Sequence, residues 1–137
     1  DTILCFSDAA WRKEDNTAGF GCTLVDKHGH TLHQGMHTER NVSSSLAAEA
    51  LALRSAPAQH SNSNGFSNVC FNTDCQSLLA AINSKAPPAD LYRIVQDIEH
   101  LSSLFCSVSF KFVARLLNST ADRLAKSSLC NATVTLP

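Results

Sequence analysis

Apolar and polar positions along the chain fall into short blocks of changing period. Residues 3–6 form an apolar, partly β-branched run that predicts a strand running out at Ser7 and Asp8. Residues 19–25 predict a second strand, the Asp-Lys-His-Gly segment at 26–29 is a turn signal, and residues 31–36 predict the return strand of a hairpin. The period then changes. Ser43, Ser44 and Ser45 offer N-cap hydroxyls before residues 46–56, a run of good helix formers ended by Pro57. A Ser/Asn-rich loop around residues 61–64 leads to a buried strand at 69–72, followed at once by a helix at 75–82. Pro87 and Pro88 break the chain. Leu91, Ile94, Val95, Ile98, Leu101 and Leu104 then recur at helical spacing and predict a long amphipathic helix. Val108, Phe110 and Phe112 alternate with polar neighbours over 107–113, as in a half-buried strand, and residues 119–129 predict a closing helix. The order reads βββαβαβα: an α/β layer arrangement with a five-stranded mixed sheet, an antiparallel hairpin section and right-handed parallel crossovers. No internal repeat interrupts it, so residues 1–137 are read as one domain.

Composition narrows the class. A chain of 137 residues buries roughly two-thirds of its unfolded surface and builds a core without metal or disulfide staples. Apolar residues at 44% and charged residues at 17% exclude disorder, collagen and coiled coil. No apolar run approaches the ~20 residues of a membrane span, and no membrane partner is expected. Eleven Lys and Arg stand against twelve Asp and Glu, a net charge of −1. Binding to a polyanion must therefore be local or metal-assisted rather than a matter of bulk charge. The chain begins at Asp1 rather than a methionine and is read as a domain excised from a longer chain. Its six cysteines (Cys5, Cys22, Cys70, Cys75, Cys106, Cys130) mostly sit among apolar neighbours. They read as buried free thiols, which favours an intracellular reducing compartment, cytoplasm or nucleus. Glycosylation sequons at Asn41, Asn118 and Asn131 are then accidental.

Four single acids stand out by position. Asp8 closes the first strand, Asp74 closes the fourth, Glu49 interrupts the apolar stretch 46–53, and Asp122 lies in the first turn of the last helix. Each has a plain alternative. Asp74 and Asp122 suit helix capping, Asp8 suits a strand end facing water, and Glu49 suits the solvated edge of its helix. Against those stands the fold order: strands one and four are natural neighbours and would deliver two acids at one end of the sheet. Helices bearing Glu49 and Asp122 near that end would crowd four negative charges, a cluster that divalent metal neutralises. An all-oxygen ligand set suits Mg2+ or Mn2+ rather than structural zinc.

On the segments SDAAW with Asp8, LAAEALAL with Glu49, NTDCQSLL with Asp74 and FVARLLNSTADRLAKS with Asn118 and Asp122, the chain resembles the ribonuclease H family. Within it the likeness is to the plant and retroelement-derived, reverse-transcriptase-associated branch, and it spans nearly the whole chain. The resemblance implies a ribonuclease H-like fold and endonucleolytic hydrolysis of the RNA strand of an RNA/DNA hybrid by a two-metal route. It implies two Mg2+ ions, with Mn2+ as a substitute, ~4 Å apart, clamping the attacking water and the leaving 3′ oxygen. Asp8 would bridge both ions, Asp122 would help hold the ion that activates water, and Glu49 with Asp74 the ion facing the leaving group. Ser44, Ser45, Gln76 and Asn118 would touch the hybrid, Gln76 in the minor groove where 2′ hydroxyls mark RNA. The plain alternative is that Ser44 and Ser45 cap their helix and Asn118 ties down its loop.

The chain also departs from that pattern. Ala9 stands where the family often has glycine, the loop before Asp122 carries Arg115 and no histidine, and residues 84–89 hold only Lys85 where some members have a basic helical protrusion. Turnover would then be slow, or Arg115 would contact phosphate, and affinity would be low and steeply salt-dependent. These departures favour a rival from another class: a non-catalytic ribonuclease H-fold module, domesticated from a retroelement, that binds nucleic acid or protein. The four intact acids oppose it. His28, His30, His33 and His37 invite a metal site, but alternation puts only His33 and His37 on one strand face, so edge-strand decoration is the better account. Trp11 reads as packing rather than base stacking. Oligomeric state is not legible.

Overall fold

A computed structural model describes residues 2–56 and 68–133, apart from the Ser102 side chain. The Ser/Asn loop of residues 61–64 and the stop at Pro57 lie outside the described residues. Strand β1 spans Thr2–Arg12, β2 Thr17–Asp26 and β3 Thr31–Glu39. Helix α1 spans Ser45–Ser55, β4 Asn68–Thr73, α2 Gln76–Asn83, α3 Tyr92–Ser102, β5 Ser107–Phe112 and α4 Ser119–Asn131. The helices on either side of Pro87 and Pro88 are separate elements, so the complete order is βββαβααβα.

The five strands form one sheet in the order β3-β2-β1-β4-β5. Pairing is antiparallel from β3 to β1 and parallel from β1 to β5, the mixed sheet that the element order predicts. Ile3, Cys5, Phe20, Leu24, Val69 and Phe71 form its buried inner face, against which Ala47, Ala48, Leu53, Ile94 and Ile98 pack from α1 and α3. Phe71 and Phe110 stack with ring centroids 5.3 Å apart and close the core at the β5 edge.

The main differences from the sequence expectation are two element ends and the burial of two thiols. Strand β1 does not stop at Asp8. It runs on to Arg12, because Ala9 to Arg12 find partners in β2, ending at Arg12 against Thr17. Helix α3 ends at Ser102, and Leu104 is exposed beyond it rather than part of the apolar stripe. The thiols are all free, but only Cys5 and Cys22 are buried, while Cys106 and Cys130 are exposed, so the expectation of buried thiols fails at those two positions.

Helix α4 covers the opposite face of the sheet, over β1 and β2, and two glycines let it approach. An added β-carbon on Gly21 would lie 2.2 Å from the Ala121 carbonyl oxygen and 2.6 Å from the Ala125 nitrogen. On Gly19 it would lie 2.3 Å from the Ala125 carbonyl oxygen. Because the obstacles are helix backbone, no side-chain rotation relieves them. At the far end, Arg12 anchors α4: its Nη1 donates to the carbonyls of Leu129 and Ala132, while Asp15 takes Nε and Nη2 at 3.0 Å each. Arg12 thus holds a cation at the helix C-terminus, where the helix dipole favours it.

Replacing Gly21 with alanine is expected to push α4 off the sheet and to cost about 3 kcal/mol. Urea denaturation monitored by circular dichroism measures it, and an unchanged midpoint would refute the close approach.

Candidate active site

Strands β1 and β4 run side by side only as far as the Phe6–Asn72 pair. Beyond it β1 continues with β2 alone, and β4 continues with β5 to the Thr73–Phe112 pair. Asp8 and Asp74 sit just past the point where the strands part. Helix α1 places Glu49 against the same opening. One carboxylate oxygen from each of Asp8, Glu49 and Asp74 falls within 4.8 Å of the other two. Across the hairpin Asp8 lies opposite Gly21, the glycine over which Ala121 and Ala125 pass. The first turn of α4, with Asp122, is therefore brought beside Asp8, and the two side chains interact directly.

The partners of Asp74, Asp122 and Asp8 differ from those of helix caps. Asp74 does not cap α2. No side chain caps α2; the part-buried amide of Cys75 donates to the Thr73 hydroxyl at 3.1 Å, and Asp74 Oδ2 is buried without a hydrogen-bond partner. The Asp74 side chain is only 9% exposed, and its nearest cation is Arg115 Nε at 3.9 Å, beyond hydrogen-bond reach. No side chain caps α4, and Asp122 pairs with Lys126 at 3.1 Å one turn on. Asp8 accepts only the amide of Ala9, at 3.0 Å, from the backbone. Asp122 stands outside the tight group of three and has a lysine partner of its own.

Burial is the largest cause that raises the carboxyl pKa of both Asp8 and Glu49. For Asp8 the Asp74 charge and the Asp122 side chain push the same way, against a hydrogen bond with Glu49. For Glu49 the charge of Asp8, its hydrogen bond and the charge of Asp74 add to burial. Three acids in a half-buried opening with one oxygen orphaned form a hard, all-oxygen donor set, which fits Mg2+ or Mn2+ by ligand chemistry. The residues present to hold such an ion are Asp8, Glu49 and Asp74, with Asp122 at the margin.

The expected substrate contacts divide. Ser45 and Gln76 are exposed at the starts of α1 and α2, and Arg115 is 86% exposed beside Asp74. Ser44 serves as the α1 cap, accepting from the Ala47 amide at 3.0 Å and donating to Asp90 at 3.1 Å. Asn118 takes the alternative role, that of tying down its loop. It is 1% exposed, and its Nδ2 donates to the Ser7 carbonyl at 2.9 Å, which makes it the tie that holds the β5–α4 connection to β1. Trp11 packs, with Nε1 donating to the Val42 carbonyl at 2.9 Å. The histidines of β3 and its turn form no metal-holding group among the described residues. The part of Thr73, whose hydroxyl accepts the amide of the N-cap residue Cys75, was missed in the sequence.

Because both carboxyls are raised in the folded state, they take up protons on folding. Their contribution to the metal-free fold is therefore least unfavourable at acid pH. It becomes more unfavourable as pH rises from the ordinary carboxylate range towards neutrality. Replacing Glu49 with glutamine is expected to raise metal-free stability at pH 7 by about 1–2 kcal/mol, and to abolish the rise in melting temperature that is expected of the unaltered protein in Mg2+. Thermal melts with and without Mg2+ at pH 5 and pH 7 measure both effects. A variant destabilised at pH 7 without metal would refute the repulsion.

The solved structures similar to this chain share the whole architecture. Ribonuclease H1 from the halophilic archaeon Halobacterium salinarum is 25% identical with a TM-score of 0.87, over 96% of this chain and 100% of that one. The N-terminal RNase H domain of a Mycobacterium tuberculosis protein is 20% identical with a TM-score of 0.83, over 94% of both chains. LC11-RNase H1, isolated from compost and solved in complex with an RNA/DNA hybrid, is 20% identical with a TM-score of 0.83, over 93% of this chain and 96% of that one. No curated protein sequence matches significantly. The family model described as reverse transcriptase-like matches residues 6–128. With the sheet order and helices of the ribonuclease H fold already in place, the chain belongs to the reverse transcriptase-like family of ribonuclease H-like domains.

Proposed function

We propose that this domain is a metal-dependent endoribonuclease that hydrolyses the RNA strand of RNA/DNA hybrids by a two-metal route, with Mg2+ as the resident ion and Mn2+ as a substitute. One observation carries the assignment. Carboxylates from β1, α1 and the end of β4 meet within 4.8 Å, and an oxygen of one of them is buried with no hydrogen-bond partner. A carboxylate oxygen left unpaired beside two further carboxylates is available to a hard cation. When bound, divalent ions would supply an activated water and charge stabilisation at the leaving oxygen.

The chain's own residues set the conditions for that chemistry. Asp8 and Asp74 fix the donor positions through the sheet, which does not flex with the loops. Glu49 adds a third carboxylate from a helix whose inner face is locked by Ala47, Ala48, Ala50 and Leu53. The anionic cluster repels a phosphodiester until cations are present, so occupancy by metal gates substrate approach. Arg115 lies beside Asp74, where it offers a donor fork to phosphate. Gln76 and Ser45, exposed at neighbouring helix starts, are placed to reach the sugar edges of the hybrid. The sequence motifs point to the plant, retroelement-derived branch, and the four buried or half-buried thiols suit an intracellular reducing compartment.

Incubation with end-labelled RNA/DNA hybrid in Mg2+ and in Mn2+ is expected to give cleavage of the RNA strand only. Asp8→Asn and Asp74→Asn should each lower the rate at least 100-fold, the scale of losing a group that stabilises charge in the transition state. Hybrid binding without cleavage in either metal would establish the non-catalytic module instead.

A further inference from the structure

The connection from β5 to α4 is a short 3-10 turn, Arg115–Asn118. It is tied at both ends to the strands that carry the acids. The Val113 amide donates to the Thr73 carbonyl at 2.9 Å, next to Asp74. Asn118 Nδ2 donates to the Ser7 carbonyl at 2.9 Å, next to Asp8. Within the turn, the Leu117 amide donates to the Ala114 carbonyl at 2.9 Å. Between the ties the chain presents Leu116 at 87% exposure and Leu117 at 70%. A turn that only closed a connection would carry polar residues at such positions. Two leucines held in water gain nothing for the fold.

Along the sequence, the stretch that carries the turn is basic. Residues 105–133 hold Lys111, Arg115, Arg123 and Lys126 against the single acid Asp122. The rest of the chain holds seven basic and eleven acidic residues. In register, Lys111 aligns with Asn72, and Asn72 with Phe6. Lys111 therefore shares the sheet face of Asp8, two residues further along β1. A ligand that reaches the acid cluster from this side meets cations and exposed leucines together, the complement of a nucleic acid backbone and not of a basic protein surface.

We propose that Leu116 and Leu117, fixed by these two ties at the rim of the acid cluster, form an apolar wedge that grips the hybrid beside the cleaved phosphate, with Arg115 and Lys111 on the flanking backbone. The inference rests on the hybrid-cleaving function proposed above. The wide, shallow minor groove of an A-like helix exposes sugar rings and base edges. Apolar side chains pack there and part base steps, as minor-groove wedges do. The wedge supplies affinity through contact area, which offsets the lack of a basic protrusion between α2 and α3.

Steady-state cleavage of a labelled hybrid, compared between the unaltered protein, Leu116→Ser/Leu117→Ser and Leu116→Met/Leu117→Met, tests it. The serine pair is expected to raise KM about tenfold with kcat little changed, the signature of lost uniform binding. The methionine pair should restore KM, and the Mg2+-induced rise in Tm should be the same in all three proteins. An unchanged KM in the serine pair, beside normal cleavage by the unaltered protein, overturns the wedge and leaves the nuclease standing. A fall in kcat together with a smaller Mg2+ shift also overturns it, since the leucines would then act on the acid cluster itself. If the unaltered protein binds hybrid without cutting, fluorescence anisotropy decides: weaker binding by the serine pair supports the wedge while cleavage fails, and equal binding overturns both.

Discussion

The parting of β1 from β4 after Phe6 and Asn72 is the constraint on which the site is built. Two strands that stop pairing leave backbone carbonyls without ladder partners, and buried carbonyls must find donors elsewhere. Side-chain amides provide them. Asn118 Nδ2 donates to the carbonyl of Ser7, just past the last β1–β4 pair, while Asn72 Nδ2, in that pair, adds bonds to the carbonyls of Cys5 at 3.4 Å and Cys70 at 3.1 Å. This explains why Ser7, Asn72, Thr73 and Asn118 are buried polar residues beside an otherwise apolar core. The same opening brings Asp8 and Asp74 to one level.

Crowding carboxylates in that opening opposes folding of the metal-free domain, because burial and mutual repulsion both disfavour the charged forms. The scaffold around the cluster is correspondingly tight. Alanines line the inner face of α1, and glycines bring the α4 backbone almost onto β2. A looser frame would let the acids swing apart into water and relieve the repulsion. Close packing keeps them together without a ligand, so the binding energy of an ion is not spent on assembling its own site.

Local period and turn chemistry made most of the fold legible. The hairpin turn signal at 26–29, the Ser44 cap and the alternation around Phe110 each place an element that the structure contains. The extension of β1 was not legible, because Ala9 and Ala10 carry no strand preference of their own and take their conformation from Phe20 and Gly19 across the hairpin. Leu104 misled for the converse reason: it keeps the helical spacing, yet the chain leaves the helix at Ser103. For the site, the acids stood out as a set, but single-residue reasoning favoured capping for Asp74 and Asp122. Nothing in the sequence shows that α2 starts without a side-chain cap while the Cys75 amide turns to the Thr73 hydroxyl, since that depends on backbone geometry at the strand end.

Asp122 is where competing interactions can be weighed. Its partner Lys126 lies one turn along an exposed helix surface, and pairs of that kind contribute about 0.3–0.5 kcal/mol. The attraction of a divalent ion to a carboxylate in a half-buried, anionic opening is far larger, because neighbouring charges of the same sign add to it rather than compete. A lysine bridge of this strength does not hold Asp122 away from an ion at Asp8; it offers a resting position for the carboxylate until one arrives. Arg115 stands to Asp74 in the same relation, at a longer distance and with more exposure. Both cations lie at the rim, where an approaching phosphate would find them already turned towards the site.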